Sequence, residues 1–155
     1  MCAILDSSVV HKVFGSSRPS AGKEFHHWIN TGYGRLAVGG KLRRELAQTP
    51  AREWLRAAIG SGRVKQVNDG KIDQWALELR KSGACQSDDQ HVIALAQLSG
   101  ARWLYSEDGA LRNDFKNRQL ISSPRGSLYP EGDSKNARRN RKRLFAVKNL
   151  CREDG

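Results

Sequence analysis

The sequence predicts an α/β fold in which a parallel sheet is covered by helices on both faces. Short apolar runs alternate with longer segments in which apolar residues recur at helical spacing. The first run, CAIL, is apolar throughout, which is typical of a strand buried on both faces. Strands that alternate with helices form βαβ units. The 155 residues suffice for one domain with a proper core and are too few for two of ordinary size.

The first half of the chain holds three of the predicted strands. They lie in CAIL, RLAVGG and RVKQVND, and helices are predicted in SSVVHKVF, RPSAGKEFHHWINTG, KLRRELAQ, TPAREWLRAAIGSG and GKIDQWALELRKSG. Ser7 or Ser8 is the expected cap of the first helix, and Ser20 that of the second. Thr49 and Pro50 mark the start of the fourth helix, because proline is well tolerated at the first helical position.

The second half contains the most informative run, QSDDQHVIALAQLSGARWLYSEDGALRNDF. It predicts a buried helix from Asp89 to Leu98, a glycine turn, the strand RWLY and a loop before another helix. Near residue 130 the composition changes to KNARRNRKRLFAVKNLC, which is rich in Arg and Lys. We therefore predict a domain over 1–130 and a basic extension over 131–155, either a helix that forms on a partner or a disordered polycation.

The charge balance indicates a polyanionic partner. Lys and Arg total 27 against 16 Asp and Glu, which gives a net charge of +11, and the isoelectric point is near 10.1. The alternative is that the excess only reflects a basic tail or a solvated surface.

Cysteine usage and hydropathy bear on the cellular location. Cys2, Cys85 and Cys151 are far apart and lack zinc-ligand spacing, so we expect reduced thiols. We see no leader pattern and no apolar run near 18 residues, which disfavours secretion and membrane spanning. The expectation is a cytoplasmic protein without a membrane partner.

Carboxylates follow the predicted strands. Asp6 comes directly after CAIL, and Asp108 follows RWLY after two intervening residues. Glu45 lies on the helix after LAVGG, and Asp89 begins the helix that leads into RWLY. Because ligands bind beyond the carboxyl ends of parallel strands, these four segments can direct acids into one pocket.

A cluster of this kind needs a neutralising partner, because adjacent carboxylates repel and raise one another's pKa. Mg²⁺ or Mn²⁺ is the expected cofactor, since hard divalent cations prefer oxygen ligands. Such an ion makes its water more acidic and able to attack a phosphodiester, and a second ion can stabilise the leaving oxygen. The constellation therefore suits metal-dependent phosphodiester hydrolysis.

Each acid also has a structural explanation. Asp89 and Asp108 can cap the helices that follow them. Glu45 can be a solvated helix residue paired with Lys41, and Asp6 can be an ordinary turn aspartate.

The sequence resembles PIN-domain ribonucleases over roughly residues 2–130. The resemblance is carried by AILDSSVV, GGKLRREL, SDDQHVIALAQLSGARWLYSEDGAL and LISSPRGSLYP. It implies a three-layer α/β/α sandwich with a central parallel sheet. It also implies three or four acids at the strand ends, where Mg²⁺ or Mn²⁺ supports cleavage of RNA.

The resemblance assigns roles to the acids in chain order. Asp6 matches the first metal-binding and catalytic acid, Glu45 the second, Asp89 the third and Asp108 the fourth. Asp88 is the neighbouring option for the third position, and the spacing to IALA favours Asp89. Three residues are expected to support the site: Ser106, where the family often has a positioning hydroxyl, Asp88, and Asp114 as a reserve acid.

Basic side chains are the candidate RNA contacts. Arg43 and Arg44 lie beside Glu45 and can hold phosphates, or they can belong to a solvated helix face. The extension adds sequence-independent affinity for RNA, or binds an acidic partner protein, through Arg138, Arg139, Arg141, Lys142 and Arg143.

The functional prediction is an endoribonuclease, and two other classes compete with it. One is a non-catalytic RNA- or DNA-binding module that uses only its basic surface and tail. The other is a phosphatase of the haloacid dehalogenase type, which requires an Asp at the position that Ser8 occupies. Many small PIN proteins are toxins with an antitoxin partner, others act in RNA maturation, and PIN domains often form homodimers, so these are further expectations.

Overall fold

A computed structural model describes residues 2–147 of the chain. The chain forms, in order, β1 (Ala3–Leu5), a 3₁₀ turn (Ser7–Val9), α1 (Val10–Phe14), α2 (Ser20–Thr31), β2 (Leu36–Val38), α3 (Gly40–Leu46), α4 (Arg52–Ser61), β3 (Val64–Gln66), α5 (Asp69–Ser82), α6 (Gln90–Ser99), β4 (Trp103–Tyr105), α7 (Gly109–Lys116), β5 (Ser127–Leu128) and α8 (Lys135–Phe145).

The sheet has five parallel strands in the order β3-β2-β1-β4-β5. In β1, Ala3 lies opposite Leu36 of β2 and Trp103 of β4. With the eight helices, this sheet forms a three-layer α/β/α sandwich, and the predicted fold class is confirmed. The sequence did not predict β5, because it has only two residues, a serine and a leucine, both half-buried.

The core centres on the strands and the helix whose sequences are most apolar. Every residue of β1 and β2 is buried, and seven of the ten residues of α6 are buried. The edge strand β3 is half-buried to exposed, which agrees with its imperfect apolar alternation. In α5 only Ile72 is buried, so this helix packs with a narrow face.

The order of the strands creates a crevice between β1 and β4. The chain passes from β1 outward to β2 and β3, and then crosses to the other side of β1 for β4 and β5. The amide of Asp6 donates to the carbonyl of Tyr105 at 3.0 Å. The segments that leave β1 and β4 therefore start side by side, at the topological switch point where α/β folds bind ligands.

The predicted domain boundary near residue 130 falls inside the folded unit. Leu144 of α8 is buried in the same core cluster as the strands. The Phe145 ring packs on Trp28 with a centroid distance of 5.6 Å and on Tyr129 at 6.3 Å. The first part of the extension is therefore a helix of the domain itself. Residues 148–155 of the predicted extension lie outside the described residues.

Arg141 is fully buried, which corrects its prediction as an RNA contact. Its Nε donates to Glu24 Oε2 at 2.7 Å, and its Nη1 donates to the carbonyls of Pro130 and Gly132 at 2.9 and 2.7 Å. The guanidinium thus joins α8 to α2 and to the loop after β5. Because these groups surround it, it holds the helix on the domain and is not available to a nucleic acid.

The expectation of reduced thiols fails at one position. Cys2 is disulfide-bonded, whereas Cys85 is a free thiol, and Cys151 lies outside the described residues. Within residues 2–147, no helix has both the length and the apolar character needed to cross a membrane.

Replacing Arg141 with Ala should destabilise the protein by about 2–3 kcal/mol, because the Glu24 carboxylate and two carbonyls would lose their donor. The matched control is Arg138→Ala on the same helix, where an exposed arginine lies 3.8 Å from exposed Asp133, and it should cost under about 0.5 kcal/mol. Urea unfolding of both variants measures the difference. Equal free energies of unfolding for the two variants would contradict the assigned role of Arg141.

Candidate functional site

Asp6 lies at the centre of the candidate site, immediately after β1. It is buried, and its Oδ2 accepts hydrogen bonds from the hydroxyls of Ser8 at 2.6 Å and Ser106 at 2.8 Å. The Ser106 hydroxyl also accepts from the backbone amide of Asp108 at 3.1 Å. The predicted supporting residue Ser106 therefore connects the acid after β1 with the acid after β4.

The two serines after Asp6 do not cap a helix, contrary to the sequence prediction. The Ser7 hydroxyl donates to Glu45 Oε2 at 2.8 Å. The Ser8 hydroxyl bonds Asp6, and it accepts from the amide of Glu107 at 3.3 Å. Both side chains thus orient carboxylates of the candidate site. Their pairing was missed because a hydroxyl after a strand is equally typical of a cap or a turn.

Glu45 projects from α3 toward the same region. Its Oε1 lies 3.6 Å from Nε2 of His91 and 4.0 Å from Nζ of Lys41. The ion pair with Lys41 predicted from the sequence is therefore present, although long, and Ser7 and His91 are additional neighbours. Glu45 is thus held between two elements rather than on an open helix face.

Asp89 is brought together with the other three acids. Its pKa is raised to about 6, first by burial, then by the negative charge of Asp6, by a hydrogen bond and charge from Asp108, and by the charge of Glu45. Asp89 stands at the N-cap position of α6 but makes no side-chain capping bond, so the capping explanation is wrong for this residue. The four predicted acids therefore interact electrostatically in one cluster.

Asp108 does cap a helix, as the structural alternative predicted. Its Oδ1 accepts from the amide of Leu111 at 3.1 Å in the first turn of α7. The same side chain interacts with Asp89, so it serves the helix and the cluster together.

The other two acids predicted to support the site, Asp88 and Asp114, lie outside this cluster. Asp88 is exposed. Asp114 is buried, and its two oxygens accept from the amides of Gln86 at 2.8 Å and Ser87 at 2.9 Å. Asp114 therefore fixes the loop that leads to Asp89, which is a positioning role that no sequence pattern indicated.

The predicted phosphate contacts on α3 are already paired. Arg43 binds both oxygens of Asp69, at 3.2 and 2.5 Å, and this contact raises the pKa of Arg43 and lowers that of Asp69. Arg44 lies 3.3 Å from Asp73 and is half exposed. On α8, the exposed predicted contacts are Arg138, Arg139, Lys142 and Arg143.

The acids supply suitable donor atoms for a divalent ion but not a finished coordination shell. Among residues 2–147, no three His, Cys, Asp or Glu side chains are arranged so that they could hold a metal ion. The carboxylates nevertheless raise the pKa of Asp89, and carboxylate oxygens are the ligands that Mg²⁺ and Mn²⁺ prefer. The donor chemistry therefore suits such an ion, although the side chains of residues 2–147 form no closed ligand group.

Comparison with known proteins identifies no relative. No protein-family model, curated protein or solved structure matches this chain. The resemblance to PIN domains therefore depends on the quoted sequence motifs alone.

The electrostatic strain at Asp89 predicts an unusual stability effect. In EDTA near pH 7.5, Asp89→Asn should raise the free energy of unfolding by about 1 kcal/mol, which raises Tm by about 2–4 °C. Asp89 binds its proton more tightly in the folded state, so the wild-type penalty develops as pH rises through about 6 and vanishes near pH 4.

Thermal unfolding at both pH values measures this difference. Asp88→Asn, the same chemical change at the exposed neighbour, should give a smaller shift. A stabilisation by Asp89→Asn that is equal at both pH values, or a destabilisation near pH 7.5, would refute the repulsion.

Proposed function

We propose that this protein is a metal-dependent endoribonuclease that hydrolyses RNA phosphodiester bonds. One observation carries the proposal: Asp6, Glu45, Asp89 and Asp108 come from separated segments, and burial of Asp89 together with the influence of the other three acids raises its pKa to about 6. If these acids served only as helix caps, they would not need to lie close to one another. Clustered acids at a switch point are costly, and proteins retain such costs mainly at functional sites.

In this proposal the chain's own residues have distinct roles. When bound, Mg²⁺ or Mn²⁺ supplies Lewis acidity and an activated water for attack on phosphorus. The four acids would offset the ion's charge, and Asp89, whose pKa is raised to about 6, can exchange a proton near neutral pH. Ser106 and Ser8 hold Asp6, and Ser7 holds Glu45, so the hydroxyls fix the acids before substrate arrives.

RNA is the substrate class that the charge favours. The net charge of +11 supports binding of a polyanion, which an acidic cluster alone would repel. The exposed cations of α8 can contribute sequence-independent contacts through Arg138, Arg139, Lys142 and Arg143. A toxin role with an antitoxin partner and homodimer formation are further parts of the proposal that follow from the PIN resemblance. A cytoplasmic location is a further part that was expected from cysteine usage and hydropathy.

A second candidate function is a non-catalytic RNA- or DNA-binding module. It is favoured by the real capping bond of Asp108 and by the absence, within residues 2–147, of a finished group of metal ligands. In that case the basic surface alone would carry the function, by binding the nucleic acid. Metal dependence distinguishes the two, because a simple binder needs no divalent ion.

Cleavage of a labelled single-stranded RNA by the full chain tests the proposal, with Mn²⁺, Mg²⁺ or EDTA. We expect product only with a divalent ion. Asp6→Asn and Asp89→Asn should each lower the rate by about a hundredfold or more, because each removes a charge that supports the transition state. Asp88→Asn is the matched control and should retain the wild-type rate.

Two results would contradict the nuclease function. Folded wild-type protein that binds the RNA without cutting it would favour the binding module. Cleavage that persists in EDTA, or an Asp6→Asn variant that cleaves at the wild-type rate, would show that the four acids do not carry the activity.

A further inference from the structure

A basic pocket adjoins the acid cluster on its α3 side. It is a cavity of about 260 Å³ between α3, α5 and the first turn of α6, lined among others by Lys41, Arg80 and His91. Two of these residues face Glu45, since Lys41 Nζ and His91 Nε2 lie 4.0 and 3.6 Å from its Oε1. The pocket and the cluster therefore share a wall.

Two cations of this pocket, Lys41 and Arg80, are exposed and can reach an anion. Arg44 also lines the pocket, but Asp73 neutralises it. Arg80 is exposed and has no ion-pair partner in the described part of the chain, and Lys41 is exposed with only its long contact to Glu45. Asp88 is the remaining acid of the lining. The lining therefore carries Lys41, Arg44 and Arg80 against Asp73 and Asp88, an excess of one positive charge, and Glu45 borders it.

His91 adds a buried polar atom that lacks a partner. Its side chain is 6% exposed, and within residues 2–147 its Nε2 makes no hydrogen bond, because 3.6 Å to Glu45 is too long. A buried unsatisfied ring nitrogen is costly, and a ligand oxygen that accepted its hydrogen would remove that cost.

We propose that Lys41, Arg80 and His91 form a phosphate subsite that holds a backbone phosphate of single-stranded RNA next to the bond to be cut. The identity of the ligand as RNA rests on the proposed function. Two separated cations and one buried ring donor suit a tetrahedral anion with several acceptor oxygens. A phosphate held here would lie against Glu45, so the subsite would fix the position of the RNA relative to the acids.

The test measures RNA binding by the full chain in EDTA, where the proposed cleavage cannot proceed. The probe is a labelled single-stranded RNA of about ten nucleotides, followed by fluorescence anisotropy over a range of salt concentrations. For Lys41→Gln combined with Arg80→Gln, the slope of log K against log salt should fall by about 1.4, because each lost phosphate contact contributes about 0.7. The matched control removes two other exposed cations, Arg52 and Arg56 of α4, and should leave the slope near wild type.

His91 is tested by a pair of neutral variants. His91→Phe should weaken binding about tenfold, because it keeps a ring but loses the donor, whereas His91→Gln should restore most of the affinity. Circular dichroism checks that both variants are folded. Equal losses in the two variants would mean that His91 acts through packing, which would overturn its role as a ligand.

The outcomes separate this subsite from the nuclease function. An unchanged slope in the Lys41/Arg80 variant, or an equal loss in the α4 control, overturns the subsite even if the wild-type protein cleaves RNA with Mn²⁺. The expected loss of slope in a chain that never cleaves RNA supports the subsite and rejects the nuclease. Wild-type protein that does not bind the RNA overturns the subsite, whatever the cleavage assay gives.

Discussion

Repulsion between carboxylates at the carboxyl ends of β1 and β4 is the constraint on which the candidate site depends. The strand order sets it, because it places the segments after these two strands together. Three hydroxyls, from Ser7, Ser8 and Ser106, then hold Asp6 and Glu45 in place. Burial of Asp89 first, and then the influence of Asp6, Asp108 and Glu45, raise its pKa to about 6. This arrangement costs the folded protein stability, and proteins retain such costs mainly at functional sites.

Much of the fold was predictable because the sequence of each central element favours the structure that the element forms. Apolar runs without alternation marked β1 and β2, and helical spacing with glycine ends marked α4 and α6. The docking of α8 was not predictable, because only two of its residues, Arg141 and Leu144, are buried, while most of the helix is charged. Burial of Arg141 depends on an acid 117 positions away in the chain, and no local pattern can show that.

The acids of the site were predictable from their positions after the strands, but their neighbours were not. Ser7 reaches Glu45 across 38 positions, and Ser106 reaches Asp6 across 100. Such partnerships depend on how the elements pack, so the sequence left Ser7 and Ser8 as caps, and only the PIN resemblance gave Ser106 a positioning role. No sequence pattern marked His91 as a site residue, although it lies only two positions after Asp89. Glu45 becomes its neighbour because α3 packs against α6. The role of Asp114 also depends on packing, because this residue of α7 accepts hydrogen bonds from the distant loop at Gln86 and Ser87.

Calorimetric titration of Mn²⁺ into the full chain measures whether a divalent cation binds the carboxylates. We expect saturable binding of one or two ions that is lost or strongly weakened in Asp6→Asn. Binding should release protons near pH 6, where Asp89 is partly protonated, and fewer near pH 7.5. Absence of binding by the folded wild-type chain, or equal binding by Asp6→Asn, would contradict the proposed metal site.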